Sequence, residues 1–193
     1  PASHDGGLSL GGALLARNLR KNKKFIMKHT YWGPDYSKKE IKKELIIQKI
    51  KFKKIKNVTK TTAEIISKGK IVGWFQGRME WGPRALGNRS ILMNPTLPNA
   101  KERINLIKKR ENYRPFGCSI LKEFALDYFD VEFENEYMLY VGKPKDSNLK
   151  SITHIDGTCR FQTVDNTNKY FYNLIKEFYK LSGCPLLLNT SFN

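Results

Sequence analysis

The chain has 193 residues, 40% hydrophobic and 12% aromatic, enough for one domain and a real core, and it carries a formal net charge of +17. No apolar run approaches the roughly 18 residues needed to span a bilayer, and no signal-peptide pattern is visible, so a membrane-spanning helix is not expected and the cytoplasm is. The cysteines Cys118, Cys159 and Cys184 are odd in number, widely spaced and form no CxxC pair, which argues against a disulfide framework or a zinc site and suits a reducing compartment. The sequence begins at Pro1 and stops within SFN; it reads as a piece of a longer protein.

So large a positive charge ordinarily suggests nucleic acid, but its distribution argues for something else. Residues 1–60 hold 16 Lys/Arg against 4 Asp/Glu, and residues 61–193 hold 19 against 14. The basic half is almost all lysine, whereas Arg78, Arg84, Arg89, Arg103, Arg110, Arg114 and Arg160 all lie beyond residue 77. Lysine is a hydrated point charge; arginine is a planar fork matched to phosphate and carboxylate. The lysines read as a solvated face and the arginines as a site.

In chain order, residues 1–20 run from a glycine-rich loop into a helix with an Ala/Leu/Gly face, and residues 21–36 form a loop around Tyr31, Trp32, Gly33 and Pro34. Ser37 and Glu40 make a capping box before KKEIKKELIIQKI. After a lysine-rich segment comes a short helix, TTAEIISKG, ended by Gly69. KIVGWFQ and SILMNP are strands flanking a long Gly/Pro/Arg loop. Asn99 with Glu102 caps a helix over AKERINLIKKR; GCSIL is a strand and EFALDYF a short helix. EYMLYVG and RFQTV are further strands. TNKYFYNLIKEFYKLSG is an amphipathic helix with Tyr170, Leu174, Phe178 and Leu181 on one face, ended by Gly183, and PLLLNTS is an apolar strand. Strands and helices intermix from residue 60 on, so the class is α/β or α+β with a mixed sheet.

Three polar clusters interrupt this scaffold. Gly77–Ser90, GRMEWGPRALGNRS, combines three arginines with glycines that let backbone approach a ligand; a salt-bridged surface loop, with Glu80 pairing an arginine, is the alternative. In Lys108–Pro115, KKRENYRP, Lys108 and Arg110 fall on one side if the backbone is extended and so could clamp phosphate oxygens; favourable charge at a helix C-terminus explains them equally. Asn189–Asn193, NTSFN, places small hydroxyls and amides at the carboxyl end of a strand, although an Asx or Ser/Thr turn would look the same. THIDGTCR sets His154, Asp156 and Arg160 in a turn before a strand, where a satisfied His–Asp pair competes with substrate contact. No HExxH, GxSxG, P-loop or metal-ligand spacing is present.

Taken together, GRMEWGPRALGNRSIL, KERINLIKKRENYRPFG, ITHIDGTCRFQTV and GCPLLLNTSFN, in that order, resemble the C-terminal region of the NodU/CmcH-type O-carbamoyltransferases, a group that includes nodulation-factor, cephalosporin and tobramycin carbamoyltransferases. The resemblance covers roughly residues 60–193. It implies a YrdC-like domain, a twisted open mixed sheet with flanking helices, with a K-x-R motif matched by Lys108-Lys109-Arg110, followed by Pro115-Phe116, and an S-x-N motif matched by Ser191-Phe192-Asn193. It further implies ATP and carbamoyl phosphate as substrates, with Mg²⁺, and carbamoyl adenylate as product. Lys108 and Arg110 are expected at the triphosphate, with Ser191 and Asn193 completing the cradle. Arg78 and Arg84 are expected at the carbamoyl phosphate or nucleotide end, and Arg114 and Arg160 are lesser candidates. PASHDGGLSLGGAL resembles the end of an N-terminal Kae1-like partner domain, in which an aspartate matching Asp5 helps bind a metal. The expected division is therefore residues 1–20 as the tail of that domain, 21–60 as a basic linker and helical region, and 61–193 as the YrdC-like domain, truncated at its end. A homodimer is compatible with this reading. An RNA-binding module using lysines 21–60 is the competing class, and an inactive docking domain the third.

Overall fold

The computed structural model describes residues 1–22 and 24–192. Apolar and β-branched runs build seven strands: β1 (Val72–Phe75), β2 (Arg89–Met93), β3 (Gly117–Leu121), β4 (Phe129–Asp130), β5 (Val141–Pro144), β6 (Cys159–Val164) and β7 (Leu186–Thr190). They form one open sheet in the order β1-β2-β7-β3-β6-β5-β4. Every neighbouring pair is antiparallel except β3 and β6, which run parallel. The helices are α1 (Leu8–Lys21), α2 (Lys38–Ile47), α3 (Val58–Ser67), α4 (Ala100–Ile107), α5 (Ala125–Tyr128) and α6 (Lys169–Ser182). The expected mixed open sheet with flanking helices is what forms.

Register sorts the side chains. Ser119 lies opposite Leu187 and Gln162, Gly117 opposite Asn189, and Asn189 opposite Leu92. Because residues alternate across a sheet, Asn189, Ser119, Gln162 and Arg160 share one face. Leu188, Cys118 and Phe161 share the other, where Phe161 stacks on Phe129 at 4.6 Å. The three cysteines are free and buried. Helices α3 and α6 pack against each other, and α6 also packs on β3 and β7.

Several boundaries differ from expectation, each for a physical reason. The helix expected at TTAEIISKG begins earlier, at Val58, because Asn57 Oδ1 accepts the Lys60 N–H and caps it. The helix expected to reach Arg110 stops at Ile107; Asn99 makes no side-chain cap there, and Lys109 takes the left-handed conformation, φ +51°. The strand expected over EYMLYVG shrinks to Val141–Pro144, because Asn135 Oδ1 accepts the N–H of Leu139 and folds the preceding residues into a turn. Helix α6 buries Phe171, Leu174, Ile175 and Phe178, so Tyr170 and Leu181 are on its exposed side instead. The Ser37–Glu40 capping box forms in both directions. Among the described residues no helix is long and apolar enough to cross a membrane.

Candidate anion-binding site

The arginine-rich loop between β1 and β2 is organised around one carboxylate. Among the described residues Glu80 forms no salt bridge of the kind the alternative reading supposed; its Oε1 accepts the backbone N–H groups of Leu86 (2.8 Å), Asn88 (2.8 Å) and Arg89 (3.2 Å). The far side of the turn is held by Asn168, just before α6. Its amide donates to Tyr31 Oη (3.0 Å) and Asn88 Oδ1 (2.9 Å), while Gln76 Nε2 donates to Asn168 Oδ1 (2.9 Å). Gly87 adopts φ +98°, and a Cβ there would lie 2.1 Å from the Phe171 ring. Residues 30–34 lie along the outer side: Trp81 N–H donates to Thr30 O, Gly33 N–H to Met79 O and Met79 N–H to Pro34 O, with Trp32 stacked on Trp81 at 6.0 Å.

This turn sets Arg84 over the polar face of the sheet. The next carbonyl, of Ala85, accepts the Asn189 amide at 3.0 Å, and the same amide reaches Ser119 Oγ at 2.8 Å; Ser119 Oγ donates to Gln162 Oε1 at 2.7 Å. Arg84 Nε is buried without a hydrogen-bond partner, as is Asn189 Oδ1. Burial, and secondarily the guanidinium of Arg160, holds Arg84 below the usual arginine range. Two arginines that repel each other, one with a buried unsatisfied donor, are costly unless an anion completes them. Arg78 is directed elsewhere: its guanidinium donates to Trp32 O at 3.0 Å.

The K-x-R segment arrives at the same end of the sheet. Its backbone is a tight turn rather than the extended strand that alternation would require, yet it still brings the two cations together. Lys108 is held below the usual lysine range by burial first and by Arg110 second. Its Nζ donates to Ser191 O at 2.5 Å, joining the end of α4 to the end of β7. Arg110 Nε donates to Asn105 Oδ1 at 2.6 Å and Nη2 to Pro115 O at 3.2 Å, and its guanidinium lies 4.3 Å from the Phe116 ring centroid. Arg114 is exposed and paired with Glu111 at 3.4 Å. Asn193 lies outside the described residues.

His154 adjoins this edge. Its ring is held below the usual histidine value by burial, then by Arg160, against a hydrogen bond with the Phe116 backbone and the Asp156 carboxylate. The turn itself closes through Asp156 Oδ1, which accepts Thr158 N–H at 2.9 Å and Thr158 Oγ1 at 2.7 Å. Asp5 is exposed, and among the described residues no group of three His, Cys, Asp or Glu could hold a metal ion.

The structure thus gathers Lys108, Arg110 and Ser191 around one contact, and sets Arg84 within electrostatic reach of Arg160, at the sheet end where β7 ends and β3 and β6 begin. Arg78, Arg114 and Asp5 point to other business. Asn105 escaped sequence reasoning: it is fully buried on α4, and its amide donates to Asn112 O and Arg114 O, shaping the K-x-R turn. An asparagine on the apolar side of a helix was the available signal. Glu80 and Asn168 were legible only as polar residues, since their partners are backbone groups or distant in sequence.

The family model described as carbamoyltransferase C-terminus matches residues 63–193. The chain is 42% identical over 206 residues to nodulation protein NolNO of Sinorhizobium fredii, an alignment covering 100% of this chain and 30% of that protein. It is 39% identical to nodulation protein NolO of Bradyrhizobium diazoefficiens, covering 100% and 38%. Over 127 residues it is 42% identical to the 3'-hydroxymethylcephem-O-carbamoyltransferase of Amycolatopsis lactamdurans, covering 65% and 24%. The chain spans about a third of the length of the nodulation proteins it matches. On these grounds it belongs to the carbamoyltransferase C-terminus family, which it shares with the NodU- and CmcH-type relatives.

Proposed function

We propose that this domain forms carbamoyl adenylate from ATP and carbamoyl phosphate, for transfer to a hydroxyl acceptor by an N-terminal domain of the same protein. The observation that carries the reading is the meeting of Lys108 with the end of β7, beside Arg110 and on the sheet end that also bears Arg84 and Arg160. Hydrolysis of carbamoyl phosphate yields carbamate and phosphate. A carbamate oxygen then attacks the α-phosphorus of ATP, and the bond to the β-phosphate oxygen breaks to release pyrophosphate. No protein nucleophile is needed, because such transfer depends on positioning and charge stabilisation. Lys108 and Arg110 act on the triphosphate, where negative charge builds on the departing pyrophosphate. The Arg84–Arg160 pair takes the second anion, carbamoyl phosphate. Ser191, and Asn193 with it, would line the phosphate cradle. Mg²⁺ would arrive bound to ATP.

The test is pyrophosphate release by the full-length protein. Release is expected from ATP only when carbamoyl phosphate is present, and Lys108→Ala is expected to lower it by roughly 100-fold or more. No release from the intact protein, or unchanged release from the variant, removes the reading.

A further inference from the structure

We infer that Glu80 is a positioning residue of the anion site, setting the turn that presents Arg84. The inference rests on the reading of Arg84 and Arg160 as an anion pair. The carboxylate of Glu80 and the guanidinium of Arg84 do the work at one remove from each other, and the backbone between them carries it. Glu80 Oε1 accepts the N–H groups of Leu86, Asn88 and Arg89, the residues that immediately follow the Arg84–Ala85 step. An ionised acceptor makes each such bond stronger than a neutral one would be. The carbonyls of the same stretch are tied from the opposite side: Leu86 O accepts Tyr31 Oη at 3.0 Å and Gln162 Nε2 at 3.2 Å, and Ala85 O accepts Asn189 Nδ2 at 3.0 Å.

The backbone from residue 85 to 89 is therefore held by its amides on one side and its carbonyls on the other. Arg84 is the residue at which that rigid stretch begins. Its Nε is buried without a partner, a position that a mobile loop would not keep, because the guanidinium would turn to solvent and away from Arg160. The carboxylate of Glu80 also draws on Arg89, whose guanidinium donates to Gln76 O at 2.7 Å and Gly77 O at 3.1 Å and so closes the base of the loop. Removing the charge of Glu80 loosens both ends of the loop without touching the sheet core.

The experiment uses full-length protein and inorganic phosphate as the probe, read as the phosphate concentration that raises the thermal midpoint. Glu80→Gln and Arg84→Gln are each expected to weaken phosphate binding by roughly 10- to 100-fold, the scale of one lost hydrogen bond between charged groups. The double variant is expected to be no weaker than Arg84→Gln alone, since both changes act through one guanidinium. Glu80→Gln that lowers the midpoint while leaving phosphate affinity unchanged would falsify the assignment, because a purely structural role does that. So would additive losses, or a wild-type protein that binds no phosphate. If Glu80→Gln does not fold, Glu80→Asp, which keeps the charge but withdraws it by one methylene, must show the same selective loss. Pyrophosphate release is measured in parallel: its absence removes the adenylate reading, while the phosphate titration still decides the role of Glu80.

Discussion

Lys108 Nζ and the carbonyl oxygen of Ser191, 83 residues apart in sequence, meet at 2.5 Å. The contact makes one feature of two motifs that lie at opposite ends of the domain. Helix α4 ends one residue earlier, and Asn105 ties back the loop that follows through Asn112 O and Arg114 O. Replacing Lys108 by Ala is expected to cost about 1.5–3 kcal/mol, the range for a hydrogen bond from a charged donor. Pyrophosphate release should fall by roughly 100-fold or more, as when one preorganised electrostatic donor is removed. Chemical denaturation and a pyrophosphate assay read the two effects separately. Full activity with reduced stability would leave Lys108 as a structural tether only.

The Arg84–Arg160 pair leads to a prediction in which stability and binding move oppositely. Burial, and secondarily the Arg160 guanidinium, disfavours the Arg84 charge, and Arg84 Nε is buried unsatisfied. Arg84→Leu is therefore expected to stabilise the ligand-free protein by about 1 kcal/mol, since an unpaired buried donor costs on that order. Stabilisation by phosphate should be lost in the same variant. A denaturant midpoint that falls in Arg84→Leu, with phosphate stabilisation retained, would show that the guanidinium has a partner in solution and holds no anion.

How much of this could be read from the sequence depended on how local each signal was. The capping box at Ser37, the apolar strand before Asn189 and the arginine-dense loop are patterns within a few residues, and each appears where the pattern places it. The end of α4 was misplaced because nothing in AKERINLIKKR breaks a helix; it stops when Asn105, buried from above, draws the carbonyls of Asn112 and Arg114 back over it. The burial of Phe171 in place of Tyr170 follows from the close approach of Gly87, 84 residues earlier. The pairings of Lys108 with Ser191 and of Arg84 with Arg160 are long-range consequences of strand order, which periodicity does not encode. Motif order grouped Lys108 with Ser191, but it did not bring Arg84 to Arg160.

Gly87 tests the packing beneath the loop. Any side chain there must adopt φ +98° and meet the Phe171 ring. Gly87→Ala is expected to cost about 1–3 kcal/mol for the backbone conformation and about 1–3 kcal/mol more for overpacking. Because the turn holding Arg84 rests on the same residue, phosphate affinity should fall together with stability. Gly87→Ala that folds with unchanged stability would mean that the loop does not approach α6 this closely.

The lysines of α2 separate the adenylate chemistry from the competing RNA reading. Lys42 and Lys43 are exposed on a helix remote in sequence from the arginine clusters. Lys42→Glu with Lys43→Glu is expected to leave pyrophosphate release within about twofold of wild type, surface substitutions being worth little in stability. If the protein binds a generic RNA, the same pair should weaken that binding and flatten its dependence on salt. Loss of pyrophosphate release in this variant would move the lysine face into the catalytic reading.

His154 supplies a pH dependence that reports on the anion pair. Its folded value lies below the usual 6.5, chiefly through burial, with Arg160 adding a smaller push in the same direction. Between the folded value and 6.5 the unfolded chain binds more protons than the folded one, so stability rises with pH across that window. It is fully present above about 6.5 and is lost as pH falls toward the folded value. His154→Gln should therefore flatten the stability profile below neutral pH, as read by denaturant midpoints. A phosphate seated against Arg160 would offset the charge that depresses His154, so phosphate should narrow the window and take up a fraction of a proton on binding. Calorimetry in buffers of different ionisation enthalpy would detect that uptake. An identical profile with and without phosphate would place the anion away from Arg160, and so away from the pair to which Glu80 is linked.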